Sequence, residues 1–290
     1  MTLDDCRRFY AQEMRFAASL TSPALIEAYA RVPREKYLGP PPWWLVSADA
    51  RAFSLVGKLS LSYISTEDPR DLYHNVVVAI DRTKDINNGQ PSALAWWIKA
   101  LELMPGDRAC HLGCGVGYYT AIMAEVVGPN GSMLGIEVNE DLARHAKQNL
   151  AEYPNVTVQA ADGVGFDPGP FDAMLVNAGV THPQALWIDR LREGGRLVLP
   201  LTLAATPTVG QGIMAKITRR SGSFAAEMVT PVAIYSCVGG RDPELESQMR
   251  KALTTGGIFK LKAVRRDAHE PTETCLLHRS DVCVSSADAQ

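Results

Sequence analysis

Apolar and polar positions follow two regimes along the chain. Up to about residue 100 the pattern is helical and then irregular; from Arg108 short apolar runs alternate with amphipathic segments. Helix formers over Arg7–Ser19 and Pro23–Arg31 predict two helices, with Ser22 as N-cap and Pro23 in the first turn. Gly39-Pro-Pro-Pro-Trp-Trp breaks the helical pattern and opens an irregular stretch. The β-branched run Tyr73–Ile80 predicts a strand, Asp85–Pro91 a loop, and the apolar spacing of Ser92–Leu103 a further helix.

The second regime reads as alternating strands and helices. Strands are expected at Arg108–Leu112, Ser132–Val138, Val156–Ala160, Phe171–Val176 and Gly195–Leu201. Helices are expected between them at Tyr118–Val127, Glu140–Leu150 and Pro183–Leu191. This alternation predicts a doubly wound α/β fold, a parallel sheet covered on both faces. Gly212–Arg219 and Phe224–Tyr235 then predict a strand pair around Arg220-Ser-Gly-Ser. Short β-prone runs in Leu261–Ser286 predict a tail that closes over or extends the sheet. The expected organisation is an N-terminal helical and cap region (residues 1–84), a ligand-binding core (85–240) and a C-terminal β extension (241–290).

Composition adds exclusions. Among 290 residues, 29 Lys+Arg stand against 32 Asp+Glu, a net charge of −3, so no basic field points to nucleic acid. The longest apolar runs, such as Val76–Ile80, are far shorter than the ~20 residues of a membrane span. The N-terminus lacks the order of a signal peptide, and the expectation is a cytoplasmic protein with reduced thiols and no membrane partner. Six cysteines lie at 6, 110, 114, 237, 275 and 283, with no Cys-x-x-Cys pair. Cys110, His111 and Cys114 are close, but zinc needs four spaced donors, so no metal site is expected. Trp43, Trp44, Trp96 and Trp97 read as core or pocket wall.

Candidate chemistry begins at Leu112-Gly-Cys-Gly-Val-Gly-Tyr118, which joins the first core strand to the first core helix. Glycines let the backbone turn sharply and present N–H groups to a ligand at a helix N-terminus. Glu137 ends the next strand, where a carboxylate can accept from ribose hydroxyls, and Asp162 ends the third, within reach of an adenine amino group. The spacing is G-x-G-x-G, with Tyr118 where the dinucleotide fingerprint has its last glycine. That weakens a pyrophosphate cradle and favours S-adenosylmethionine, which has an adenosine but no phosphate.

These residues carry a resemblance. The segment Cys110–Leu201 resembles class I S-adenosylmethionine-dependent methyltransferases, and more narrowly the protein-L-isoaspartate O-methyltransferase family. The similar pieces are the glycine loop, Gly135-Ile-Glu, Ala161-Asp-Gly, Phe171-Asp-Ala-Met-Leu-Val-Asn-Ala, Pro183-Gln-Ala-Leu and Leu191-Arg-Glu-Gly-Gly-Arg-Leu-Val-Leu-Pro. Val32-Pro-Arg-Glu-Lys-Tyr upstream and Pro231-Val-Ala-Ile-Tyr downstream also match. The resemblance implies a Rossmann-like methyltransferase sheet. It also implies a cofactor site at Gly113, Cys114, Gly115, Gly117, Tyr118, Glu137, Asp162, Gly163 and Asn177. It sets the loop Asn87-Asn-Gly-Gln-Pro where the repair enzymes carry Ser-x-Pro, with Gly89 in place of the serine. Asn87, Asn88 and Gln90 are therefore candidates for its hydrogen-bonding role, and Asn177 and His182 for further catalytic contacts.

The expected reaction is methylation of a carboxylate on a peptide or small molecule. An ionised carboxylate needs no general base, whereas an amine or phenol would call on His74, His182 or Asp81. Two alternatives stand beside it: a small-molecule O- or N-methyltransferase on the same fold, and a non-catalytic cofactor-binding module. A nucleotide-sugar or NAD-dependent oxidoreductase is disfavoured by Tyr118.

Overall fold

The computed structural model describes residues 1–47 and 62–289. Thr2 and Asp5 form a reciprocal capping box, so α1 (Leu3–Ala17) starts four residues before the expected Arg7. Ser22 Oγ accepts from Leu25 N at the head of α2 (Pro23–Arg31), as expected. The stretch after Gly39 is more regular than expected: β1 (Trp43–Val46) pairs antiparallel with β2 (Tyr63–Thr66). Residues 48–61, part of that stretch, lie outside the described residues.

Tyr73–Ile80 departs from expectation. A 3₁₀ turn at Pro69–Leu72 leads into irregular chain, and only its last two residues enter β3 (Ala79–Asp81), paired with β4 (Ile86–Asn87). The cause is Arg34. Its guanidinium is buried and takes the carbonyls of Leu72, His74 and Val76, which turns them inward and away from the geometry of a strand ladder.

The core follows the predicted alternation. In order it comprises α3 (Pro91–Ala100), β5 (Arg108–Leu112), α4 (Tyr118–Val127), β6 (Ser132–Glu137), α5 (Glu140–Asn149), β7 (Val156–Ala160), β8 (Phe171–Val176), α6 (Ala185–Arg190) and β9 (Leu191–Ala204). The long antiparallel β10 (Val209–Arg220) and β11 (Ser223–Tyr235) come next, then α7 (Pro243–Thr254), β12 (Ala263–Arg265), β13 (Cys275–His278) and β14 (Cys283–Ser285). Among the described residues one ten-stranded sheet runs β7-β6-β5-β8-β9-β10-β11-β12-β14-β13. Its β7-to-β9 half is parallel and the remainder antiparallel. The C-terminal residues thus extend the sheet, as expected. Helix α7 was not anticipated, although Asp242, which caps it, and Pro243 in its first turn are ordinary start signals.

Side chains of the central strands alternate between two cores. Ala173 and Leu175 of β8 face a cluster built with α1 to α5, while Met174 and Val176 face one built with α6 and α7. Trp43 and Trp97 are buried, but Trp96 is on the surface under Lys99. Strand β5 lies between β6 and β8, so the chain turns opposite ways from its carboxyl end, and a crevice opens there.

Candidate active site

At that crevice lies a cavity of about 610 Å³, within the roughly 300–1,000 Å³ range of small-molecule sites. Its floor is the loop after β5. Gly113 has φ +74°, and a Cβ there would meet the Asn177 carbonyl at 3.2 Å; Gly115 has φ +56°. Only glycine supplies both the left-handed backbone and the close approach. Gly117 (φ +93°) stands behind the loop rather than in the wall, where a Cβ would press on Leu150 at 2.8 Å. It therefore serves the packing of α4 on α5.

Glu137 is buried at the end of β6. Its Oε2 accepts from Gly115 N at 2.8 Å and its Oε1 from Asn139 N at 3.0 Å. Each oxygen keeps a second acceptor site toward the cavity, and the carboxylate is held without freedom to turn. Asp162 is exposed at the rim, with Oδ1 on Val164 N, and Gly163 beside it presses so closely on Leu112 that a Cβ would stand 2.4 Å away. A glycine loop, a fixed carboxylate and a rim carboxylate fit the hydroxyls and adenine of an S-adenosylmethionine molecule. Among the described residues the cavity has no cluster of cations for a pyrophosphate: Lys84 pairs with Asp81 and Arg241 with Glu246.

The structure brings Gly113, Cys114, Gly115, Tyr118, Glu137, Asp162, Gly163, Asn177, Asn87 and Asn88 to the cavity wall. It does not bring Gln90 or His182 there. Gln90 Nε2 donates to both the backbone and side-chain oxygens of Asn75 at 2.7 Å, which holds the entry to α3. His182 is buried against Thr181 Oγ1 at 2.9 Å, and its pKa is pushed down by burial and by Arg279. Its neighbour Thr181 accepts from Asp242 N at the start of α7 at 3.2 Å.

The two asparagines differ. Asn87 is fully engaged, accepting from Gly89 N at 2.9 Å and donating to Tyr235 Oη at 3.0 Å. Asn88 is held on one side only. Its Oδ1 accepts from Val78 N at 3.0 Å and from Arg34 Nη2 at 3.3 Å, while its Nδ2 is buried with no partner. Gly89 has φ +77°, and a Cβ there would meet Leu94 Cδ2 at 2.8 Å, so this loop is shaped for glycine.

Both thiols of the cavity wall are shifted toward their protonated form. Burial and Glu137 push the Cys114 thiol up, and burial with Asp162 pushes Cys237 up to about 11. Tyr235, also in the wall, is pushed up to about 12 by burial and by Asp85, and its hydroxyl donates a hydrogen bond to the Asp85 carbonyl. Sequence reasoning missed Tyr235 and Arg34 as parts of the site. Both stood inside quoted motif matches, but Arg34 is followed by the charged Glu35 and Lys36, so nothing in its neighbours signalled a buried guanidinium.

Comparisons with known proteins converge. A family model described as protein-L-isoaspartate(D-aspartate) O-methyltransferase matches residues 60–241. A protein-L-isoaspartate O-methyltransferase of Ignicoccus hospitalis is 34% identical over 179 residues, 59% of this chain and 82% of its own length. Its counterpart in Thermotoga maritima is 26% identical over 243 residues, 79% of this chain and 65% of its own. A solved protein-L-isoaspartate O-methyltransferase superposes with a TM-score of 0.58 at 19% identity, covering 90% of this chain and 72% of that one. A Plasmodium falciparum structure described under the same activity, in complex with S-adenosyl-L-homocysteine, gives 0.57 at 18% identity, covering 80% and 98%. The two superpositions speak to the fold, and they agree with a Rossmann-like sheet.

Proposed function

The chain belongs to the protein-L-isoaspartate O-methyltransferase family and is an S-adenosylmethionine-dependent enzyme, and from that premise we propose that it methylates the carboxylate of an isoaspartyl peptide, held by the side-chain amide of Asn88. The observation that carries this reading is Asn88 itself, a residue of the cavity lining whose Nδ2 has no hydrogen-bond partner. A buried donor left unsatisfied costs about 1–3 kcal/mol, which an acceptor oxygen of the substrate offsets. Two donors on Oδ1 fix which way the amide points. Asn88 stands one residue before Gly89, so it supplies a donor where the serine hydroxyl is missing.

The cofactor, when bound, supplies an electrophilic methyl group. Glu137 and the Gly113–Gly115 loop would hold its adenosine portion, with Asp162 at the adenine end. A carboxylate is ionised at neutral pH, so the protein has to align it and exclude water rather than remove a proton. The wall agrees with that division of work: Cys114, Cys237 and Tyr235 are kept protonated.

Labelled S-adenosylmethionine with an isoaspartyl peptide and its aspartyl twin tests the proposal. The isoaspartyl peptide is expected to take base-labile label selectively. Asn88→Asp keeps the acceptor for Val78 and Arg34 but puts a negative charge where a donor stood. It is expected to raise KM for the peptide at least about tenfold with S-adenosylhomocysteine binding intact. Labelling of small carboxylates but of neither peptide would instead favour the metabolite reading that Gly89 suggests.

A further inference from the structure

The described residues include one group of three or more metal-type donors close enough to share an ion, and it is far from the cofactor cavity. His269 lies in the loop after β12, Cys275 and His278 on β13, and Cys283 on β14; one ligand atom from each falls within 4.8 Å of the others. We propose that these four side chains bind a zinc ion that pins the outer hairpin of the C-terminal extension.

Geometry supports a tetrahedral site. Cys275 Sγ stands 3.6 Å from His269 Nε2. Ligands about 2.3 Å (sulfur) and about 2.0 Å (nitrogen) from a tetrahedral zinc lie about 3.6 Å apart. The rings of His269 and His278 meet edge to face with centroids 4.8 Å apart, leaving room between their nitrogens. All four are wholly or partly withdrawn from solvent, and His278 Nδ1 is buried with no hydrogen-bond partner.

The surroundings are those of ligands already oriented. His269 Nδ1 faces the Asp267 carbonyl at 2.9 Å and its carboxylate at 3.4 Å, which fixes the tautomer and turns Nε2 toward Cys275. Thr272 N and Oγ1 each approach Cys275 Sγ at 3.3 Å, as donors approach a metal-bound thiolate. Two thiols and two imidazoles favour zinc over magnesium or calcium, which take oxygen ligands. Binding would release two thiol protons and leave a site of no net charge. The expectation of no metal site weighed Cys110, His111 and Cys114, which lack a second clustered pair of donors. Cys275-x-x-His278 is equally a ligand pair, and β13 paired with β14 closes the set.

There is also a reason for an ion here. β13 and β14 are four and three residues long and β13 is the outermost strand of the sheet, so a bound ion would crosslink a short strand pairing at the edge. The loop from Arg266 to Thr274 is anchored at its start by Arg266 on Asp189, and a zinc would anchor its middle and end.

The test uses the full-length chain, reduced and stripped by a chelator, titrated with Co²⁺ as a spectroscopic stand-in and then with Zn²⁺. One cobalt per chain is expected, with the intense visible bands of a tetrahedral site and thiolate charge-transfer absorption, displaced by one equivalent of zinc. Cys275→Ser/Cys283→Ser is expected to lower bound metal to less than about a tenth of an equivalent while S-adenosylhomocysteine binding shows the chain still folded. Absence of a tetrahedral cobalt spectrum in the wild-type chain would overturn the proposal, whatever the variant does. So would a spectrum that survives in the folded double variant, or a Cys275–Cys283 disulfide in metal-free protein isolated without reductant.

Discussion

His111 sits on β5 with Nδ1 against Thr120 Oγ1 at 2.9 Å and Nε2 buried without a partner. Burial alone pushes its pKa down to about 4, from 6.5 in an unfolded chain. Between those values the unfolded chain takes up a proton that the folded chain refuses. Stability therefore rises with pH across this window, and the loss on acidification is complete below about pH 4. The gap corresponds to about 3 kcal/mol, a sizeable part of an ordinary domain's stability. His182 is displaced in the same direction by burial and Arg279. Urea midpoints should fall clearly between about pH 7.5 and about pH 5, and His111→Gln should flatten that slope. An unchanged slope in the variant would assign the acid sensitivity elsewhere.

At the scale of elements, legibility followed the source of each element's stability. β5, α4, β7 and β8 fall where periodicity and glycine punctuation place them, because both faces of the parallel sheet demand apolar side chains at fixed spacing. The places of Glu137 and Asp162 beside the cavity were readable for the same reason, since the carboxyl ends of the strands face the crevice in this fold. Tyr73–Ile80 was not readable: its β-branched residues favour a strand, but a guanidinium forty residues away claims its carbonyls. Gln90 likewise went to Asn75 and not to the cavity, a choice set by a tertiary contact. Arg34 is thus the organiser of a segment, and its other hydrogen bond orients Asn88. Arg34→Met would leave three carbonyls without their donor at about 1 kcal/mol or more each, so the loss should reach about 3 kcal/mol. Thermal unfolding measures that loss. Peptide methylation should fall further than S-adenosylhomocysteine affinity, because Asn88 loses its orientation while Glu137 keeps both of its amides; equal losses would detach Arg34 from the substrate side.

For the whole molecule, the question is whether the C-terminal extension decorates the fold or completes it. β12 pairs with β11 through Phe224↔Val264 and Ala225↔Ala263, so the extension continues the sheet that carries the cofactor cavity. Ile258, Val264, Leu277, Val282 and Val284 are buried in the same core as Met174 and Trp187. At about 1.5–3 kcal/mol each, five such side chains amount to about 10 kcal/mol, comparable to the entire stability of a typical domain. Polar ties run the same way: Arg279 pairs with Asp242 at 2.7 Å, and Asp242 N donates to Thr181 Oγ1 at 3.2 Å, next to His182. A chain ending at Gly256 should therefore lose cooperative unfolding, bind a hydrophobic dye, and fail to bind S-adenosylhomocysteine, although every cavity residue is still present. The loss is global because these side chains pack in one core with Met174 and Trp187 and not in a separate lobe. A truncated chain that melts at the full-length temperature with its methyltransferase activity intact would show that the extension is an addition to a fold already complete without it.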